Sequence, residues 1–257
     1  MIKIDDISFF MPVHVRQPEQ KEYWKESVRC IRKLYKTQQV FIIIDNCEFS
    51  KLGLDDNDYP TENLIFIKSE FNGAGEFLPF YYYHKLKPTK KAIFIHDTMF
   101  IQQHFFNYEY ELHNLTNIKF LWHFETDKAD DFDIQREFIL SLNNNEKLIE
   151  TLNNLNLWHG CFGVAVIITH EFLELLNNKY NLLSLINKIK TRQDRCILER
   201  VIAIIAFTEL KWNINKPSEY SIYGKINEYI PKSFYFTYNM YKHYSLNLAI
   251  VKCWVGR

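Results

Sequence analysis

Short runs of apolar residues with polar breaks between them organise the first hundred positions of this chain. Residues 7–11, 40–44, 64–67 and 92–95 are continuous or nearly so in Val, Ile, Leu, Phe and Met. Runs of this length, rich in β-branched and aromatic residues, fit strands covered on both faces, as in parallel sheets. Between them the period lengthens. Residues 18–35 predict a helix, with Pro18 suited to its first turn and Tyr23, Ser27, Cys30, Ile31 and Leu34 near one face. Residues 48–60 are polar and predict a loop, and Asn72-Gly73-Ala74-Gly75 opens a second helix over 76–87 that Pro88 closes. Strand–helix alternation of this kind predicts a parallel sheet with right-handed crossovers.

The second half is less regular. Residues 118–124 predict a strand, and 133–152 a helix interrupted at Asn143-Asn144-Asn145. Trp158-His159-Gly160-Cys161-Phe162-Gly163 predicts a turn into a strand over 164–168, followed by helices over 169–177 and 191–210. From Trp212 onward the chain is aromatic and polar, punctuated by Pro217 and Pro231. With no internal repeat and no linker, one α/β domain over residues 1–257 is expected.

Composition narrows the class. Hydrophobic residues are 47% and charged residues 24%, as in an ordinary globular protein, which argues against disorder. Lys plus Arg equals Asp plus Glu at 31 each, so no global field favours nucleic acid or an anionic membrane. The five cysteines are dispersed without a CxxC pair, which fits a reducing compartment and rules against a zinc ribbon. No signal-peptide pattern and no apolar stretch of about 20 residues occurs, so no membrane span is expected. A surplus of Asn, Lys, Ile, Tyr and Phe is what AT-rich codons produce. The expected compartment is the cytoplasm, or the host cytoplasm for a viral chain.

Candidate chemistry sits at the ends of the apolar runs. Open α/β sheets keep their ligand crevice at the carboxyl ends of the strands, and residues 92–95 run into His96-Asp97-Thr98. A carboxylate there suits Mn²⁺ or Mg²⁺ shared with a diphosphate, with His96 and Thr98 as supports; the competing role for Asp97 is a cap on the next segment. Asp45 ends the second run, where it can accept hydrogen bonds from a base or ribose, or form an Asx-turn. Pro12, His14 and Arg16 follow the first run, with Arg16 suited to a phosphate. Asn72 and Gly73 can bring backbone N–H groups near a nucleotide, although the spacing is neither a P-loop nor GxGxxG. Trp158, His159 and Gly160 suit an acceptor sugar, Trp158 by stacking. A tight turn with a core Trp is the structural alternative. Asp194 or Glu199 can serve as base for a hydroxyl, whereas Thr191 with Asp194 also reads as a capping box and Arg195 with Glu199 as an i,i+4 pair. His243, Lys252 and Arg257 in the tail can close over a diphosphate.

In order and pattern these residues, over about 7–210, resemble the GT-A glycosyltransferases, the nucleotide-diphospho-sugar transferase fold. The resemblance implies a Rossmann-like, mixed and mostly parallel central sheet flanked by helices. Residues 1–125 would form a nucleotide-sugar half and 126–257 an acceptor-side half and tail. It implies that Pro12 to Arg16 contact the nucleotide, that Asp45 holds the base, commonly uracil, and that the metal-binding DxD motif reads His96-Asp97-Thr98, with one acidic position missing. Asp97 and His243 are then the candidate metal ligands, Asp194 or Glu199 the base of an inverting reaction, and Lys252 and Arg257 contacts to the diphosphate. The implied function is transfer of a sugar from a UDP- or GDP-sugar, UDP favoured, to a hydroxyl on a glycan, protein or lipid. Two other readings are a non-catalytic glycan- or nucleotide-binding protein on the same scaffold and a nucleotidyltransferase. The latter needs a Gly- and Lys/Arg-rich loop after the first strand, where only Arg16 stands.

Overall fold

The computed structural model describes residues 6–103, 114–230, 236–244 and 247–254. Its centre is a six-stranded sheet. Strand β1 (Ile7–Val13) leads through helix α1 (Lys21–Leu34) to β2 (Val40–Ile44), and short 3-10 turns lead on to β3 (Leu64–Lys68). Helix α2 (Leu78–Leu86) carries the chain to β4 (Lys91–Phe94), and β5 (Met99–Ile101) follows at once. The expected strand over 118–124 divides into β6 (Ile118–Phe120) and β7 (His123–Phe124). The expected helix over 133–152 divides at the asparagine run into α3 (Phe132–Leu140) and α4 (Glu146–Asn153), because Asn144 takes a left-handed φ of 50°. Next come β8 (Gly160–Cys161), β9 (Val166–Thr169), α5 (His170–Tyr180), α6 (Arg192–Leu210) and β10 (Ile250–Lys252).

The sheet order is β3-β2-β1-β4-β9-β6. The first four strands are mutually parallel, β9 runs antiparallel to β4, and β6 antiparallel to β9. The architecture is thus the expected one, a mixed, mostly parallel sheet flanked by helices. Strand β4 has one antiparallel neighbour where the first-half alternation predicts parallel pairing alone. That exception positions the site. Because β9 runs the other way, its entry turn at Gly160 to Gly163 reaches the edge where β1, β2 and β4 end.

Both faces of the sheet are covered, which explains the lack of polar alternation in the strands. Along β1, Phe10 joins one core with Phe41, Phe94, Phe120 and the helices α2 to α6. Phe9, Met11 and Val13 join the other, with Trp24, Val28 and Ile31 of α1. The tail is anchored as well: β10 pairs antiparallel with β5, and Ile250, Val251 and Cys253 are buried. Among the described residues no helix is long and apolar enough to cross a membrane.

Candidate functional site

The carboxyl edge of the parallel strands opens into a cleft with two chambers. The first, about 260 Å³, is lined by Pro12, His14, Arg16, Asp45, Gly73, His96, Asp97, Thr98 and Lys252, together with Lys190, Arg192 and Arg195. The second, about 410 Å³, includes Phe124, Asp127, Phe162, Gly163, Glu199, Arg200 and Trp254. Glu76, His96, Arg192, Arg195 and Lys252 line both, so the chambers are continuous. Their joint size suits a small-molecule ligand, for which about 300–1,000 Å³ is usual.

Asp45 directly follows β2 and is buried. Its Oδ1 accepts the Gly73 N–H at 2.7 Å and its Oδ2 the Gly75 N–H at 3.0 Å. Burial pushes its carboxyl upward, opposed by those two hydrogen bonds and by His14 and Arg195 nearby. Both glycines have positive φ, 79° and 44°, which turns the loop so that its N–H groups meet the carboxylate. The expectation that these amides face a nucleotide is corrected, since they are directed at Asp45. Asn72 lies outside the first chamber, on a neighbouring groove that shares Arg16 and Asn46 with it.

The imidazoles are fixed by their partners. His14 Nδ1–H donates to the Asp45 carbonyl at 2.6 Å, and Arg16 Nε–H donates to His14 Nε2 at 2.7 Å. His96 Nε2–H donates to the Gly163 carbonyl at 2.6 Å, which leaves Nδ1 as acceptor, 3.4 Å from Lys252 Nζ. Lys252 Nζ also donates to Thr98 Oγ1. The register of β10 on β5 sets Lys252 opposite Met99, and this is what brings a residue from the far end of the chain beside Thr98. Gly163 (φ 63°) donates its own N–H to Glu199 Oε1 at 2.7 Å, and a Cβ there would lie 2.9 Å from His96 Cε1. Lys252, His96, Gly163 and Glu199 thus form one connected path between the chambers.

The Glu199 carboxyl is pushed up to about 7 by burial; the Gly163 hydrogen bond, Arg200 and Lys252 oppose that rise and Glu76 adds to it. The group changes charge near neutral pH, the range suited to proton transfer. Arg192, Arg195, Cys196 and Glu199 all face the second chamber. Their i, i+3, i+4, i+7 spacing places them on one face of the helix, but Gln193, Asp194 and Arg200 are polar as well, so the sequence does not single that face out. The expected Arg195–Glu199 pair is replaced: Arg195 Nε lies 3.2 Å from Glu76 Oε2, and its Nη1 donates to the Gly73 carbonyl.

Four expectations are corrected by placement. Asp194 completes the capping box of α6 with Thr191, its Oδ2 accepting the Lys190 and Thr191 N–H groups while its own N–H donates to Thr191 Oγ1. It lines neither chamber. Trp158 is fully buried, with Lys128 Nζ 5.7 Å from its ring, so it offers no face to a sugar. Trp158→Ala is expected to cost about 3–5 kcal/mol of stability in urea unfolding, as for other buried aromatics, and Trp158→Phe to cost less. Gly160 is buried under the Phe124 ring, and His159 bonds Tyr220, so the set expected to meet an acceptor lies behind the cleft wall. His243 is exposed on a separate groove with Glu26, Gln102 and Tyr241, away from Asp97. Arg257 lies outside the described residues. Cys161 is buried and its thiol is pushed upward by that burial, which leaves it inert as a nucleophile.

Fold and cleft together define a class: an α/β chain whose strand ends hold a two-chambered, cation-rich cleft with a neutral-range carboxyl. No protein-family model matches the chain, and no curated protein matches it. Among solved structures it is similar to S. aureus TarS, at 14% identity and TM-score 0.44, over 77% of this chain and 56% of that one. It is similar to core-mannan synthase A of Aspergillus fumigatus in its Mn/GDP form, at 11% identity and TM-score 0.46, over 79% and 70%. Mouse xyloside xylosyltransferase 1 matches at 10% identity and TM-score 0.45, over 79% and 82%.

Proposed function

We propose that the chain is a glycosyltransferase of the GT-A type, moving a sugar from a nucleoside-diphosphate sugar to a hydroxyl acceptor. The observation that carries this reading is the joined pair of chambers: a cation-lined one at the strand ends and, beside it, one that holds Glu199. Arg16, Lys190, Arg192, Arg195 and Lys252 line the first chamber against Asp45, Glu76 and Asp97. Asp45 is bound to backbone N–H groups and Glu76 to Arg195, so the residual field favours an anion such as a diphosphate.

Asp97 is the oxygen ligand that would hold Mn²⁺ or Mg²⁺; one protein carboxylate suffices for such an ion when a diphosphate supplies further oxygens. His96 does not fit as a ligand, because Nε2 donates to Gly163 and Nδ1 faces Lys252. A bound ion would supply additional charge stabilisation to the departing diphosphate. The protein's own share is electrostatic and positional. Lys252 and Arg192 offset charge as the bond from the anomeric carbon to the diphosphate breaks. Glu199, deprotonated, takes the acceptor hydroxyl proton as the new carbon–oxygen bond forms, which corresponds to an inverting reaction. His96 ties the two events together, contacting Lys252 on one side and the Gly163 turn that holds Glu199 on the other.

Calorimetry with a panel of UDP- and GDP-sugars in the presence of Mn²⁺ tests the donor site, and a UDP-sugar is expected to bind. Lys252→Ala and Asp97→Asn are each expected to weaken that binding about tenfold or more. Absence of binding across the panel would remove the proposal. Tight binding with neither transfer nor hydrolysis would favour the non-catalytic binding protein instead.

A further inference from the structure

Behind the cleft wall, β7 and β8 form a two-stranded antiparallel ribbon with His123 opposite Cys161 and Phe124 opposite Gly160. Side chains alternate across such a ribbon. Phe124 and Thr126 face the second chamber. His123 and Glu125 therefore share the other face, and the same register sets His159 opposite Glu125, on that face too. Ligand atoms of His123, Glu125 and His159 all lie within 4.8 Å of one another.

The protonation pattern of the cluster is legible from its neighbours. Tyr220 donates its hydroxyl proton to the Ile214 carbonyl at 3.0 Å, so its oxygen accepts the Nδ1–H of His159 at 2.8 Å. That fixes the His159 tautomer and leaves the ring lone pair on Nε2. A hydrogen bond of this kind behind an imidazole is the usual support of a metal-binding histidine. His123 is 2% exposed, and neither ring nitrogen has a hydrogen-bond partner among the described residues. Its Nε2 faces Glu125 Oε1 at 3.5 Å. A buried imidazole without such partners is costly, by about 1–3 kcal/mol. Glu125 gives Oε2 to Lys225 at 2.9 Å, which leaves Oε1 on the histidine side, and its exposure provides a route from solvent.

We propose that His123, Glu125 and His159 form a second metal site, for a borderline divalent ion of the Zn²⁺ class, separate from the nucleotide cleft. Two imidazoles and one carboxylate suit Zn²⁺ and are a poor set for Mg²⁺, which prefers oxygen. The ion would fix the ribbon whose opposite face carries Phe124 into the second chamber, and so stiffen that wall.

The test uses the full chain after EDTA treatment and gel filtration, with Zn²⁺ alone as titrant. One Zn²⁺ per chain is expected, with a raised Tm, and Co²⁺ is expected to give the visible bands of a low-coordinate nitrogen/oxygen site. His159→Gln and Glu125→Gln are each expected to weaken Zn²⁺ binding by more than the about 10–100-fold typical of losing a mere supporting partner. Tyr220→Phe should weaken it less, and Asp97→Asn should leave it unchanged. Failure of the wild-type chain to bind Zn²⁺ stoichiometrically would overturn the site, as would a folded His159→Gln chain that binds as tightly as wild type. Should the histidine variants not fold, Co²⁺ spectra of the wild-type chain decide: absence of the bands overturns the proposal.

Discussion

Glu199→Gln is expected to lower kcat by about 10²–10⁴-fold, the usual effect of removing a general base, while donor affinity changes by less than about threefold. The amide can still accept the Gly163 N–H, so the turn at Gly163 and its contact with His96 are preserved and the loss reports on proton transfer. Wild-type kcat/KM should rise with pH through about 7, where burial sets the Glu199 carboxyl, and the variant should lose that limb. Stability is expected to move the other way. A carboxyl whose folded pKa lies above its unfolded value binds its proton more tightly when folded. Its contribution is therefore complete below about 4.5 and is lost as pH rises through about 7. At pH 8 the Gln variant should accordingly be more stable than wild type, by about 1–3 kcal/mol in urea unfolding. A variant both less active and less stable at that pH would argue for a purely structural Glu199.

Asp45→Ala should produce the largest loss of order at the donor site. The carboxylate is the acceptor for both Gly73 and Gly75, and those glycines shape the loop that Arg195 also clasps through the Gly73 carbonyl. Removing a charged acceptor from two N–H groups is expected to cost about 2–4 kcal/mol. Hydrogen exchange should show the amides of residues 73–75 losing protection, while those of β1 and β4 stay protected. Donor binding should fall by at least about tenfold, because Gly73, Gly75, Glu76 and Arg195 all line the first chamber. Asp45→Asn keeps one acceptor but turns an amide N–H toward the other glycine, so it should lie between wild type and Ala. That pattern would identify Asp45 as a positioning residue, acting on the ligand through the loop it holds.

Much of this cleft can be anticipated from residue type and strand order. Pro12, His14, Arg16, Asp45, His96 and Asp97 follow apolar runs, and parallel strands finish on one edge, so these residues converge. Turns and caps obey their local chemistry too, as Thr191 and Asp194 do. What local pattern cannot assign is the direction in which a polar group is used. The glycines of residues 72–75 carry the signature of an anion loop, yet the anion they meet is Asp45. Trp158 and His159 resemble acceptor-binding residues, yet both are buried, Trp158 in the core and His159 against Tyr220.

By itself, then, the sequence determined the alternation of strands and helices, the two-sided burial of the sheet and the identity of the residues gathered at its carboxyl edge. These follow from hydrophobic period and backbone propensity, which act over a few residues. Only the tertiary structure decided that Glu199 rather than Asp194 enters the cleft, that Lys252 reaches Thr98 and His96, and that His123, Glu125 and His159 share one face. Each of those depends on strand register or helix rotation between segments distant in the chain, and register is set by packing across the whole sheet, which no short window of residues contains.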